Sequence, residues 1–215
     1  MKISANNLIF RTLTKTIIDS VSFFLESGQK VAFYGSEGSG KKALLLMLGG
    51  YLKPTSGTVT IDDINIFSEL ESYRSHIGLG EIDNINALAE EMSIRENIRF
   101  VLEIGGFNYE DITVQKVLDR FNVKTYADTS IKYCPPFARA IASLACATAH
   151  NPDIVILDEP TRRLTSLESK KYWEIANSIL QNKTVLFSTK DFDEARMNSQ
   201  RIIALAGGHL IRETL

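Results

Sequence analysis

Apolar residues fall along this chain in short runs separated by glycine, proline and polar clusters. Near the start, residues 8–10 (Leu-Ile-Phe) predict a short strand. Val21, Phe23 and Leu25 then alternate with polar or outward positions, the period of a half-buried strand. Gly28 breaks the chain before Val31-Ala32-Phe33-Tyr34, the next strand. The turn Gly35-Ser36-Glu37-Gly38-Ser39-Gly40 leads into a strongly apolar helix over about 41–50. Pro54 and Gly57 punctuate a return to strand at 58–61.

The middle of the chain reads as helical. Ser93-Ile94-Arg95-Glu96 has the spacing of a capping box, and Ile94, Ile98, Val101 and Leu102 continue a helical stripe that Gly105-Gly106 ends. Residues 109–121 predict a second amphipathic helix, with Ile112, Val117, Leu118 and Phe121 on or near one face. Pro135-Pro136 opens a third, alanine-rich helix to about residue 150, proline being tolerated in a first helical turn. In the last third, Ile154-Val155-Ile156-Leu157 is a continuous apolar run of the kind buried on both faces of a sheet. Thr165-Ser166-Leu167-Glu168 is another capping box, opening a helix to about 181. A strand at 184–187, a short helix near 191–197, a strand at 202–205 and a hairpin through Gly207-Gly208 follow. Strands alternating with helices predict an α/β fold with a largely parallel sheet.

Composition narrows the function classes. The chain has 215 residues, enough for one domain of ordinary size. A hydrophobic share of 44% with 23% charged residues excludes disorder. The net charge of −2 lacks the excess of a bulk nucleic-acid binder, so no nucleic-acid partner is expected. Two isolated cysteines, Cys134 and Cys146, make neither a disulfide framework nor a zinc site and point to a reducing cytosol. The richest apolar stretches, 43–52 and 140–149, are too short to span a bilayer, and the first residues lack the core of a signal peptide. Work at a membrane would therefore mean docking on something already there.

Gly35 to Lys41 reads G-x-x-x-x-G-K between a strand and a helix, the context a phosphate-binding loop requires. The glycines let successive N–H groups turn toward an anion. The helix N-terminus adds its positive end, and Lys41 can reach outer phosphates.

A second motif resembles a known family. Ile154-Val155-Ile156-Leu157-Asp158-Glu159-Pro160-Thr161 looks like the Walker B strand of ABC-type ATPases, with its acidic pair. Leu52-Lys53-Pro54-Thr55-Ser56-Gly57 resembles the turn after the Walker A helix. Met92-Ser93-Ile94-Arg95-Glu96-Asn97 resembles the start of the helical subdomain, and Phe187-Ser188-Thr189 before Asp191 resembles the switch region. The resemblance spans essentially the whole chain. It implies a single nucleotide-binding domain, 1–215: a P-loop NTPase core with a mixed, mostly parallel sheet, an N-terminal antiparallel β subdomain and a helical subdomain at about 88–150. It implies ATP held by Phe10 and by Gly35, Ser36, Glu37, Gly38, Ser39, Gly40, Lys41, Lys42 and Ala43. It also implies Mg²⁺ at Asp158 and Glu159 as the residue that polarises water. The partners implied are transmembrane transporter subunits and a second ATPase subunit, with the chain peripheral at the cytoplasmic face of the membrane.

Five departures qualify that likeness. Lys42-Ala43 stands where the family has Ser-Thr, removing hydroxyls that ligate Mg²⁺ and hold phosphate. The segment Ile77-Gly78-Leu79-Gly80-Glu81-Ile82-Asp83-Asn84 lacks the family's glutamine, leaving Glu81 or Asp83 to approach the site. Cys134-Pro135-Pro136-Phe137-Ala138 replaces the Leu-Ser-Gly-Gly-Gln signature, and proline has no N–H to offer. Arg162-Arg163-Leu164-Thr165 lacks the aspartate that crosses the dimer interface, and Lys190 replaces the switch histidine. Arg162 and Lys190, each taken singly, read as solvated charges.

Three readings follow. The leading one is a hydrolysis-impaired structural or regulatory subunit, paired with a competent partner as a heterodimer or with itself without nucleotide. In it, Lys42 either pairs with Asp158 in place of the metal or swings out to solvent and leaves the site unfilled. The others are an active transport ATPase with compensated motifs and a nucleotide-free soluble scaffold.

Overall fold

The computed structural model describes residues 2–83 and 85–214; Asn84 and the side chain of Ile112 lie outside what is described. An antiparallel sheet is built from β1 (Ile3–Arg11), β2 (Thr16–Leu25), β4 (Ser56–Ile61) and β5 (Ile64–Asn65), in the order β2-β1-β4-β5. The second sheet has β3 (Lys30–Tyr34), β6 (Ile77–Leu79), β7 (Ile154–Asp158), β8 (Thr184–Thr189), β9 (Arg201–Ala206) and β10 (His209–Thr214). Its order is β10-β9-β3-β8-β7-β6, parallel throughout except for the edge strand β10. The helices are α1 (Lys41–Leu48), α2 (Leu70–Ser75), α3 (Ile94–Ile104), α4 (Asp111–Arg120), α5 (Pro136–Thr148), α6 (Ser166–Ile179) and α7 (Phe192–Asn198).

The continuous apolar runs are explained by two cores, one on each face of the larger sheet. Side chains along a strand point alternately to opposite faces. In β7, Ile154 and Ile156 enter the core shared with α1 and the antiparallel sheet, while Val155 and Leu157 enter the core beneath α3, α4, α5 and α6. β8 divides the same way, with Leu186 on the first face and Val185 and Phe187 on the second. β3 gives Val31 and Phe33 to the first and Ala32 to the second.

Most expected elements form, with shifted ends. β1 starts five residues earlier than the apolar run at 8–10 suggests. Its polar positions hide the strand, yet Ile3, Ala5 and Leu8 are buried, and Asn7 at φ 48° breaks the alternation. β2 carries a bulge at Ser20 (φ 55°), which carries the buried phase from Ile18 to Val21. Both capping boxes are made: Ser93 with Glu96 before α3, and Thr165 with Glu168 before α6. The α3 stripe is as expected, with Ile94, Ile98 and Leu102 buried. On α4, Leu118 and the following Phe121 are buried and Val114 joins them. α5 and α6 each stop two residues short of the expected end, and α1 stops at Leu48, with Gly49 and Gly50 turning the chain. α2 has fewer than two turns and too little periodicity to be read from sequence. No helix among the described residues is long and apolar enough to cross a membrane.

Candidate functional site

The carboxyl ends of β3, β8 and β7 lie side by side. Phe33 pairs with Ser188 and Ser188 with Asp158 across the parallel ladder, so the loop after β3 faces the acidic pair at the end of β7. Ligands of open α/β sheets bind at such strand ends.

The loop from Gly35 to Gly40 wraps the start of α1. Gly40 caps the helix at φ 103°, and a Cβ there would stand 2.9 Å from the Ile17 carbonyl oxygen, so both conformation and space call for glycine. Gly35 is crowded for a second reason: a Cβ would meet the Leu205 carbonyl oxygen at 2.4 Å. Lys41 is 5% exposed. Its Nζ donates to the carbonyls of Gly35 (2.6 Å) and Ser36 (2.9 Å) and lies 3.5 Å from Glu159 Oε1. The loop thus folds around the ammonium, and the pair with Glu159 offsets the cost of burying the charge.

Glu159 has φ 43°, a left-handed conformation that non-glycine residues seldom adopt. Its N–H donates to Ser188 Oγ at 2.9 Å, and the same hydroxyl donates to Asp158 Oδ1 at 2.5 Å. The other oxygen of Asp158, Oδ2, lies 3.8 Å from Lys42 Nζ. Burial pushes the Asp158 carboxyl above its ordinary pKa, outweighing the Ser188 hydrogen bond and the Lys42 charge that pull it down. Lys42 is half-exposed, so its partner is shielded far more than it is.

A cleft of about 490 Å³ runs over this machinery. Phe10, Glu37, Gly38, Ser39, Gly40, Lys41, Lys42, Ala43, Asp158 and Glu159 all line it. Gly35 and Ser36 do not; their role here is to hold Lys41 through their carbonyls. Sequence reading missed an apolar wall: Ile17 and Leu52 stand with Phe10, and no local motif marks them. Lys15, Arg162 and Lys190 add positive charge to the rim.

Glu81 and Asp83 do approach the acidic pair, lining a small pocket with Asp158 and Glu159, but each is engaged by arginine. Glu81 accepts two hydrogen bonds from Arg139 of α5, at 2.5 and 3.1 Å, and Arg139 also pairs with Glu90 at 2.6 Å. Asp83 pairs with Arg162 at 2.6 Å and with Arg163 at 3.8 Å. The Arg162 hydrogen bond holds the Asp83 carboxyl below its ordinary pKa, with help from the charges of Arg162, Lys42 and Arg163. Arg162 is therefore not a merely solvated charge. At the start of α5, Pro135 stands at the cap with no side-chain hydrogen bond and Pro136 occupies the first turn. The half-buried Phe137 packs against the larger core.

Known proteins resemble this chain in sequence and fold. Residues 18–162 match the ABC transporter family. ABC transporter ATP-binding protein NatA of Bacillus subtilis is 27% identical over 207 residues, covering 94% of this chain and 82% of that protein. Nod factor export ATP-binding protein I of Neorhizobium galegae is 29% identical over 218 residues, covering 98% of this chain but only 60% of that protein's length. A dimeric bacterial ABC transporter cassette of known structure is similar with a TM-score of 0.87 at 26% identity, covering 99% of this chain and 97% of that one. A family match that takes in both the phosphate loop and the acidic pair, joined to a shape shared from end to end, makes this chain a member of the ABC transporter family with the fold of its ATP-binding cassettes.

Proposed function

We propose that the chain is an ATP-binding subunit that hydrolyses ATP slowly or not at all and serves a structural or regulatory role in its transporter. The observation that carries this reading is the start of α5. In an ABC dimer that segment would face the partner's nucleotide. Pro135 and Pro136 lack N–H groups, so this helix start presents fewer donors to a phosphate, those of Phe137 and Ala138 alone in its first turn. Lys190, after β8, removes a neutral imidazole from the other side of the cleft. Loss of a single transition-state contact costs about 10²- to 10³-fold in rate, and here several are missing together.

The retained parts fit binding better than turnover. Phe10, Ile17 and Leu52 form an apolar wall suited to an adenine ring, and residues 37–43 with Lys41 suit the phosphates. In this reading the whole chain, 1–215, acts as one nucleotide-binding unit. Its helical part, about 88–150, meets transmembrane subunits at the cytoplasmic face of the membrane, and the second ATPase subunit is a competent partner or a copy that pairs without nucleotide. The test is an ATPase assay on the purified chain, alone and with co-expressed partner subunits. Negligible turnover alone is expected. A turnover of about 1 s⁻¹ or more, abolished by Glu159→Gln, would refute the reading.

A further inference from the structure

The pairs around the phosphate loop bear on the ionic form in which a nucleotide is taken; this inference rests on the reading of the cleft as a nucleotide site. Mg²⁺ requires oxygen ligands in near-octahedral array and is usually bound through one or two carboxylates together with phosphate oxygens and water. Asp158 is the carboxylate at the end of β7. One of its oxygens accepts the Ser188 hydrogen bond and the other faces the Lys42 ammonium. Lys42 and Ala43, which follow Lys41 on α1, carry no side-chain oxygen. Glu159 is paired with Lys41, and Asp83 with two arginines. These residues do not fit a magnesium ion, because a dication at Asp158 would stand beside an ammonium that already answers the carboxylate.

Charge around the cleft agrees. Five cations line it (Lys15, Lys41, Lys42, Arg162 and Lys190) against three carboxylates, Glu37, Asp158 and Glu159; Arg162 is already paired with Asp83, which leaves four cations against the three. That surplus of positive charge suits the metal-free triphosphate, which carries its full negative charge, over the magnesium complex, in which the metal has cancelled part of it. Lys42 is well placed for both tasks, half-exposed toward the cleft with Asp158 behind it.

We propose that the cleft binds a nucleoside triphosphate as the metal-free polyanion, with the Lys42 ammonium standing between Asp158 and phosphate in place of a divalent cation. Binding is then indifferent or adverse to magnesium. Lys42→Ser removes the cation, returns a hydroxyl and frees one oxygen of Asp158, so that variant gains metal dependence.

Calorimetric titration of the full chain with ATP, in excess chelator and in excess Mg²⁺, tests this for the wild type and for Lys42→Ser. The wild type should bind with chelator as tightly as with Mg²⁺ or more tightly, and Lys42→Ser should bind about tenfold more tightly with Mg²⁺ than without. Tightening of the wild type by Mg²⁺ beyond about threefold overturns the proposal and leaves the nucleotide reading intact. A Lys42→Ser variant as indifferent to metal as the wild type overturns the part assigned to Lys42. Absence of ATP binding in both conditions overturns the nucleotide reading and the proposal with it.

Discussion

Glu194, in the first turn of α7, ties three parts of the chain together. Its Oε1 accepts the indole N–H of Trp173 at 2.7 Å and the hydroxyl of Thr161, while Oε2 accepts the hydroxyl of Thr189 at 2.5 Å. Trp173, Thr161 and Thr189 are all buried, so water replaces a lost acceptor only in part. Glu194→Gln keeps the size and can keep two bonds on one oxygen, while its NH₂ donates to the Thr189 hydroxyl, which must turn from donor to acceptor. Hydrogen bonds to a charged group are worth about 1.5–3 kcal/mol and neutral ones about 0.5–1.5 kcal/mol. Three bonds weakened from charged to neutral, at about 1 kcal/mol each, give about 3 kcal/mol, and loss of a negative charge near the start of α7 adds a few tenths. Because Glu194 is itself only half-buried, water returns part of this, and a net cost of about 2 kcal/mol is expected for Glu194→Gln. Glu194→Ala orphans all three donors and should cost about 3–5 kcal/mol. Urea denaturation followed by far-UV circular dichroism measures both. Trp173 is the single tryptophan, so a shift in its emission in folded Glu194→Gln reports the altered indole contact directly. A double-mutant cycle with Trp173→Phe should show a coupling of about 1 kcal/mol. A cost below about 0.5 kcal/mol for Glu194→Gln, with unchanged emission, would refute the view that this carboxylate is a structural hub.

Other expectations follow from single features. Ser93→Ala removes one capping box and Thr165→Ala the other. Each should cost about 1 kcal/mol in urea denaturation, with Ser93→Ala the larger because Ser93 is buried. His150 stacks on Phe107 at 4.3 Å, and burial, with the nearby Lys183 charge, lowers its pKa from 6.5. The unfolded chain therefore binds this proton first as pH falls, so stability drops with pH between 6.5 and the lowered folded value; His150→Leu should flatten that slope in denaturation series across the range. Burial raises the Cys146 thiol to about 12 and also raises Cys134, against the pull of Arg139. Both cysteines should react slowly with a thiol-specific disulfide reagent at pH 7.5 in the native protein and rapidly once unfolded; fast labelling of native Cys146 would contradict its burial.

What the sequence determined by itself was local. Capping boxes at Ser93 and Thr165 are legible because both partners lie within one helical turn. The β7 and β8 runs are legible because a strand buried on both faces needs apolar side chains at every position. The phosphate loop is legible because backbone turning toward an anion requires glycines at fixed spacing before a helix. The same locality explains the misses. α2 is too short to carry a period, and β1 hides its buried positions behind a bulge at Asn7. The state of the site belonged to the tertiary structure. Lys41 meets Glu159, and Lys42 meets Asp158, because the order β3-β8-β7 sets two distant strand ends beside each other. Glu81 and Asp83 are turned to Arg139 and Arg162 by the packing of α5 and the turn after β7. A charged residue's partner depends on what the folded chain brings within a few ångströms of it, and Coulomb attraction in a shielded cleft then decides among the candidates.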